Sequence, residues 1–197
     1  MVKNKAQVWV FAGIERGKAR FPFEIKGIDS DNGKEFINDQ LLRYCRENKI
    51  TFTRSRPYRK NDNCFVEQKN YSVVRRAVGY RRYDTEEELK VLNDIYALLR
   101  LYTNFFQPVM KLINKERVGS KVKKTYDRAR TPFQRVSESP FVSQQKKNAL
   151  KEQYETLNPV QLKREIIKLQ DRLDALARSK NNQKREERHI NLEYILR

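Results

Sequence analysis

The chain has 197 residues, 43 Lys plus Arg against 25 Asp plus Glu, a net charge of +18 and a pI near 10.0. Cys45 and Cys64 lack a CxxC partner and His189 is the single histidine, which excludes a disulfide framework or a Cys/His zinc set; the longest apolar run near the start, Val8–Phe11, is too short for a signal core or a membrane span. A soluble cytoplasmic protein with no membrane partner is expected, and its basic excess points to a polyanion, most simply nucleic acid.

The spacing of Val8, Phe11 and Ala12 predicts an amphipathic helix over 4–15, with Gly13 and Gly17 loosening its end. Phe23, Ile25 and Gly27 alternate toward Asp29, predicting a strand over about 23–29 after Pro22. An Asn32-Gly33 turn leads into a helix over 34–48, where Phe36, Ile37, Leu41, Tyr44 and Cys45 recur at helical spacing, and Ile50–Thr53 reads as a short β-branched strand. Residues 54–63, RSRPYRKNDN, have the look of a surface loop. Helices follow over about 64–79 and 85–106, the second with Glu86–Glu88 at its positive end.

After Pro108 the periodicity breaks down. The basic segment 111–130, then TPFQR and SESP, read as linker or small-strand material. Helical period returns at 144 and restarts at Asn158-Pro159. There Leu162, Ile166, Leu169, Leu173 and Leu176 form a coiled-coil seam two heptads long, too short to argue for self-association over folding back on a neighbouring helix. The end, KNNQKREERHINLEYILR, reads as a loosely held tail. The expected divisions are a core over 1–106, a basic linker or small subdomain over 107–143, and a helical region with a basic tail over 144–197. Tyr80, Tyr83, Tyr96 and Tyr102 are expected to pack in the core rather than to stack on bases.

The charge is unevenly spread. Residues 51–82 hold nine basic and two acidic residues, 107–137 hold nine and two again, and 83–106 between them hold two and five. Asp31 closes a predicted strand and Glu67 opens a helix two elements later, so both can project from one end of a sheet. Glu67 is the only acid in 63–83 and has Lys69, Arg75 and Arg76 for company. An isolated carboxylate on a phosphate-binding helix repels its ligand unless a cation bridges them, and hard oxygen donors of this kind suit Mg²⁺. Asp29 reads as an exposed strand-end carboxylate.

Asp31-Asn32-Gly33 with Glu35-Phe36-Ile37-Asn38, then Arg54-Ser55-Arg56-Pro57-Tyr58 with Lys60-Asn61-Asp62-Asn63, then Glu67 with Asn70, resemble in order the second half of a DDE transposase or retroviral-type integrase core. The resemblance spans about 20–80, and TPFQR at 131–135 is similar to a segment such transposases carry after the core. It implies an α/β fold: a partial ribonuclease-H-like integrase core lacking its first strands, followed by a mostly helical C-terminal extension. It implies DNA integration or transposition by metal-dependent strand transfer, with Asp31 and Glu67 as the second and third acidic ligands of Mg²⁺ or Mn²⁺. The first acidic ligand has no counterpart, since 1–22 contain no Asp and Glu15 and Glu24 are poorly placed. Incomplete catalysis and weak or absent metal binding are therefore expected of this chain.

DNA is the implied partner, as mobile-element ends and target. Arg56, Arg59, Lys60, Lys69, Asn70, Arg75 and Arg76 are the candidate contacts, and a nucleoid-associated location follows. An alternative is a basic regulator or scaffold that pairs with a full-length transposase, or with a second copy, through the 159–176 helix.

Overall fold

The computed structural model describes residues 6–31, 39–56, 58–59, 62, 67–68 and 70–195. Helix α1 (Gln7–Lys18) is followed by strand β1 (Gly27–Ser30), helix α2 (Asp39–Glu47) and strand β2 (Thr51–Arg54). The strands pair in parallel, Gly27 with Thr51 through Ser30 with Arg54, so β1, α2 and β2 make one βαβ unit. Leu41, Cys45 and Ile50 are buried at its centre, with Phe11, Ile14, Ile25, Ile28, Tyr44 and Phe52 packed around them. Phe11 meets the Tyr44 ring edge-on, centroids 5.1 Å apart, and Lys18 Nζ donates to Tyr44 Oη at 2.7 Å. Burial raises the Cys45 thiol pKa and leaves it a free, inert thiol.

Two expectations shift here. The strand begins at Gly27 rather than 23, because the segment after Pro22 bends, and α1 runs on to Lys18 rather than stopping at 15, with Gly13 in its interior and Gly17 in its last turn. The expected start of the next helix at 34 lies outside the described residues.

A π-helix, Asn70–Arg75, tightens into a single α-turn, Arg76–Val78, that stops at Gly79 with φ +71°. Helix α3 (Glu86–Phe106) has Glu88 at its third position, where the carboxylate, 1% exposed, accepts the amides of Asp84 and Thr85 while Thr85 Oγ1 accepts the amide of Glu88. This is a reciprocal cap. Lys180 completes it, donating to both Glu88 oxygens at 2.7 and 2.9 Å, to Asp84 at 2.8 Å and to the Arg82 carbonyl at 2.9 Å. Burial opposes the charge on Glu88, but these hydrogen bonds outweigh it and hold its pKa below the ordinary value.

Of the two readings of the segment after Pro108, linker or small-strand material, residues 112–126 follow the small-strand one, whereas TPFQR opens a helix. Leu112–Val118 (β3) and Lys121–Tyr126 (β4) form an antiparallel hairpin, and Pro132–Glu138 (α4) is a helix. Gly119-Ser120 turns the hairpin, with φ +61° at Gly119 and a negative φ at Ser120, the pattern of a two-residue II′ turn. Helix α5 (Gln144–Glu155) follows, and α6 runs from Pro159 to Ile195. Asn158 caps α6 by accepting the amides of Val160 and Gln161 at 2.9 and 3.1 Å. The expected loose tail is helix up to Ile195; its Lys, Gln, Arg and Glu are good helix formers and no Gly or Pro interrupts them. Of the leucine-zipper-like seam, Leu162, Ile166 and Leu173 are buried within this one chain, as is Ala177.

The chain divides into two compact units, Met1–Asn93 with Gln170–Arg197, and Asp94–Leu169. These differ from the expected divisions at 106 and 143, because α3 and α6 each contribute residues to both units. In the second unit Phe105, Phe133 and Tyr154 form an aromatic cluster, with centroids 5.1 to 6.2 Å apart. The helix and strand content makes this a mixed α/β chain, and among the described residues no helix is long and apolar enough to cross a membrane.

Candidate nucleic-acid interface

The carboxyl ends of β1 and β2 lie side by side. Ser55, just past β2, donates its amide to the Ser30 carbonyl at 3.1 Å and its hydroxyl to the same oxygen at 3.3 Å, and both serines are buried. Asp31, half-buried, follows β1 directly at that edge, and the basic loop leaves β2 there. Ligands of open α/β sheets bind outside the carboxyl ends of the strands. Asp29 faces elsewhere: it is exposed and accepts Thr53 Oγ1 at 2.7 Å across the pair, in agreement with its reading as a strand-end carboxylate.

In the loop, Arg56 is committed to a partner. Its Nε and Nη2 donate to the Asp62 oxygens at 2.7 and 3.1 Å and its own amide adds a third bond at 3.2 Å. The Arg56 guanidinium and amide hold Asp62 at a pKa of about 2, so this fork is fully ionic near neutrality and Arg56 brings little uncompensated charge. Arg59 is exposed. Lys60 and Lys69 lie outside the described residues.

Glu67 is exposed and helical, and Asn70 opens the π-helix, also exposed. Arg76 is exposed, whereas Arg75 is half-buried, donating to the Gly79 carbonyl at 3.3 Å and lying 4.9 Å from the Tyr80 ring centroid. Tyr80 is 73% exposed, which corrects its assignment to the core; the face it keeps is used by a cation instead. Tyr83 does pack partly, its hydroxyl donating to the Val78 carbonyl at 2.6 Å. Tyr102 is half-buried beneath Lys163, 6.0 Å from the ring centroid.

Among the described residues, no group of three or more His, Cys, Asp or Glu gathers where it could hold a metal ion. Asp31 and Glu67 have the right donor chemistry for Mg²⁺, but among the described residues no third carboxylate, Cys or His joins them.

The second basic block separates into two kinds of cation. The TPFQR stretch is a clasp: Thr131 and Gln134 form a reciprocal capping box, Pro132 sits at the first turn of α4, and Phe133 joins the aromatic cluster. Arg135 forks onto Asp127 at 2.6 and 3.0 Å and reaches the Val109 carbonyl at 2.9 Å, while the Lys111 amide donates to Asp127 at 2.6 Å. Arg130 pairs with Glu138, and Val109 bridges Arg130 as an isolated antiparallel pair. Arg130 and Arg135 are therefore structural. The hairpin cations are not, and the sequence reading placed no candidate on them; the Gly-Ser turn between two basic runs is the signal that would have marked them.

Residues of this chain are 42% identical over 125 positions to the uncharacterized protein y4rM of Sinorhizobium fredii, a match that covers 64% of this chain and 36% of the relative. The chain thus spans about a third of that protein's length. No known protein family and no solved structure matches it.

Proposed function

We propose that the chain is a DNA-binding protein of the integrase and transposase type, allied to enzymes of DNA integration and recombination, and that these 197 residues bind DNA without completing strand transfer. The carboxyl end of the β1–β2 pair carries this reading. Asp31 and the start of a loop rich in Arg and Lys sit at one sheet edge, held by the Ser55 bonds to Ser30. A carboxylate set beside cations there suits a phosphodiester approached with a divalent ion, and the ordered spacing from Asp31 through Glu67 to Asn70 fits the same use. Asp31 and Glu67 would hold Mg²⁺ or Mn²⁺, which would supply charge neutralisation and activation of the attacking oxygen. The cations would position the backbone, which fixes register without reading sequence.

The test is affinity for a short DNA duplex with and without Mg²⁺. Without divalent ions, Asp31→Asn and Glu67→Gln should each bind more tightly than the unaltered chain, because a carboxylate facing phosphate has gone. With Mg²⁺ the unaltered chain should tighten and the variants should gain less. If both variants match the unaltered chain under both conditions, these carboxylates do not face DNA and the reading fails.

A further inference from the structure

Every residue of β3 and β4 is exposed. The hairpin carries Lys115, Arg117, Lys121, Lys123 and Lys124 against one acid, Glu116, whose carboxylate accepts the Asn114 side chain. Among the described residues none of the four lysines has an ion-pair or hydrogen-bond partner, and Arg117 reaches only the Gly119 carbonyl at 3.3 Å. Strand alternation and register put Lys115, Arg117 and Lys124 on one face, with Val122 and Tyr126, and put Lys121 and Lys123 on the other with Glu116.

Lys115 stands directly opposite Lys124. Like charges in that position destabilise a strand pair. Lysines on open edges do discourage strand-to-strand aggregation, which accounts for cations on this ribbon but not for setting two of them face to face. An anion between them removes the penalty. The ribbon is also firmly seated, since Asp127, Arg135 and the Val109–Arg130 pair fasten its base while its length stays uncovered. A two-stranded ribbon fits the major groove of B-form DNA, whereas the deep, narrow major groove of duplex RNA does not admit it.

We propose that the β3–β4 hairpin is a DNA-binding element that lies along the duplex and engages backbone phosphates through Lys115, Arg117 and Lys124. It deepens the proposed function and rests on it for the identity of the polyanion. Strands of this kind supply contacts separate from those of the loop at 54–62, so each should contribute its own part of the salt dependence.

The experiment compares charge-matched variants of the full chain by titrating a DNA duplex at several KCl concentrations. Lys115→Gln with Lys124→Gln should lower the slope of log K against log salt by about 1.8, at roughly 0.9 for each phosphate no longer neutralised. Lys121→Gln with Lys123→Gln, on the other face, should lower it by less than half as much. All four side chains are exposed, so circular dichroism should be unchanged in both variants. Equal losses from the two pairs would mean that net charge alone acts, and would overturn the assignment of the face. No loss from the first pair while the unaltered chain still binds DNA would overturn the hairpin proposal and leave the proposed function standing; absence of salt-dependent binding by the unaltered chain would overturn both. Equal or tighter binding of duplex RNA would overturn the groove assignment. Concentration-dependent dimerisation abolished by the first pair would instead make the ribbon an interface between copies.

Discussion

Asp127 does for the hairpin what no strand residue does. It collects the Lys111 amide and both terminal nitrogens of Arg135, and the Arg135 hydrogen bonds followed by that amide hold its pKa at about 2. A carboxyl depressed in the folded state contributes stability that is present above its unfolded value and lost as pH falls through the folded one. The clasp should therefore be intact above about pH 4 and fail as pH falls from about 4 toward 2. Arg135→Gln removes the leading cause. By NMR, the Asp127 carboxyl should titrate near 2 in the unaltered chain and move up toward 3.8 in the variant, with faster amide exchange at Val109, Lys111 and Arg130. A titration unmoved by the substitution would show that Arg135 does not set it. TPFQR was visible in the sequence as a short segment but not as a clasp, because its partner Asp127 lies eight residues before Arg135 and carries no periodicity of its own.

At the scale of elements, β1, α2 and β2 show what a small parallel pair can and cannot do. Four-residue strands joined to one another leave both outer edges without a partner strand among the described residues, and two strands alone are marginal in water. Their stability rests on Leu41, Cys45 and Ile50, buried among Phe11 and Ile14 of α1, Tyr44 of α2, and Ile25, Ile28 and Phe52. Helix α3 is longer and buries Val91, Leu92 and Ile95, with Ile95 at 0% exposure. Hydrogen exchange should accordingly show weak protection at 27–30 and 51–54 and strong protection at 91–105. Equal protection of the two regions would mean that the strand pair draws support from elsewhere. Helices α1 and α2 and strand β2 were legible because one face of each is apolar, whereas β1 was placed only approximately, since Phe23 and Ile25, whose alternation suggested it, lie before it; α3 was placed to within a residue of its ends. The hairpin was legible only as one of two alternatives, linker or small strand, since strands exposed on both faces have no apolar alternation to read. Likewise, α6 ran beyond its seam because helix propensity needs no core-facing stripe.

Across the whole molecule the +18 charge divides into cations that hold the structure and cations that do not. Arg56 with Asp62, Arg135 with Asp127, Arg172 with Glu87 and Lys180 with Glu88 are spent within the chain, whereas the four hairpin lysines have no such partner among the described residues. A sum over sequence blocks gave 51–82 and 107–137 equal weight; the ion pairs do not. Binding and chemistry part company in the same way. Binding needs only uncompensated cations, but strand transfer of the two-metal kind needs carboxylates enough to fix two ions about 3.5–4 Å apart. In the proposed reading Asp31 at the end of β1 and Glu67 on its helix would be two such carboxylates, and the described residues gather no group of three or more His, Cys, Asp or Glu that could hold an ion. Incubated with DNA ends and Mg²⁺ or Mn²⁺, the purified chain is expected to bind them and to release no cleaved or joined product on a denaturing gel. Metal-dependent joining that disappears in Asp31→Asn or Glu67→Gln would show instead that a further carboxylate completes the set in solution, and would turn a binding protein into an enzyme. Joining that survives both substitutions would place the chemistry at residues other than these two, and the carboxyl end of β1 would then serve DNA only as a docking edge.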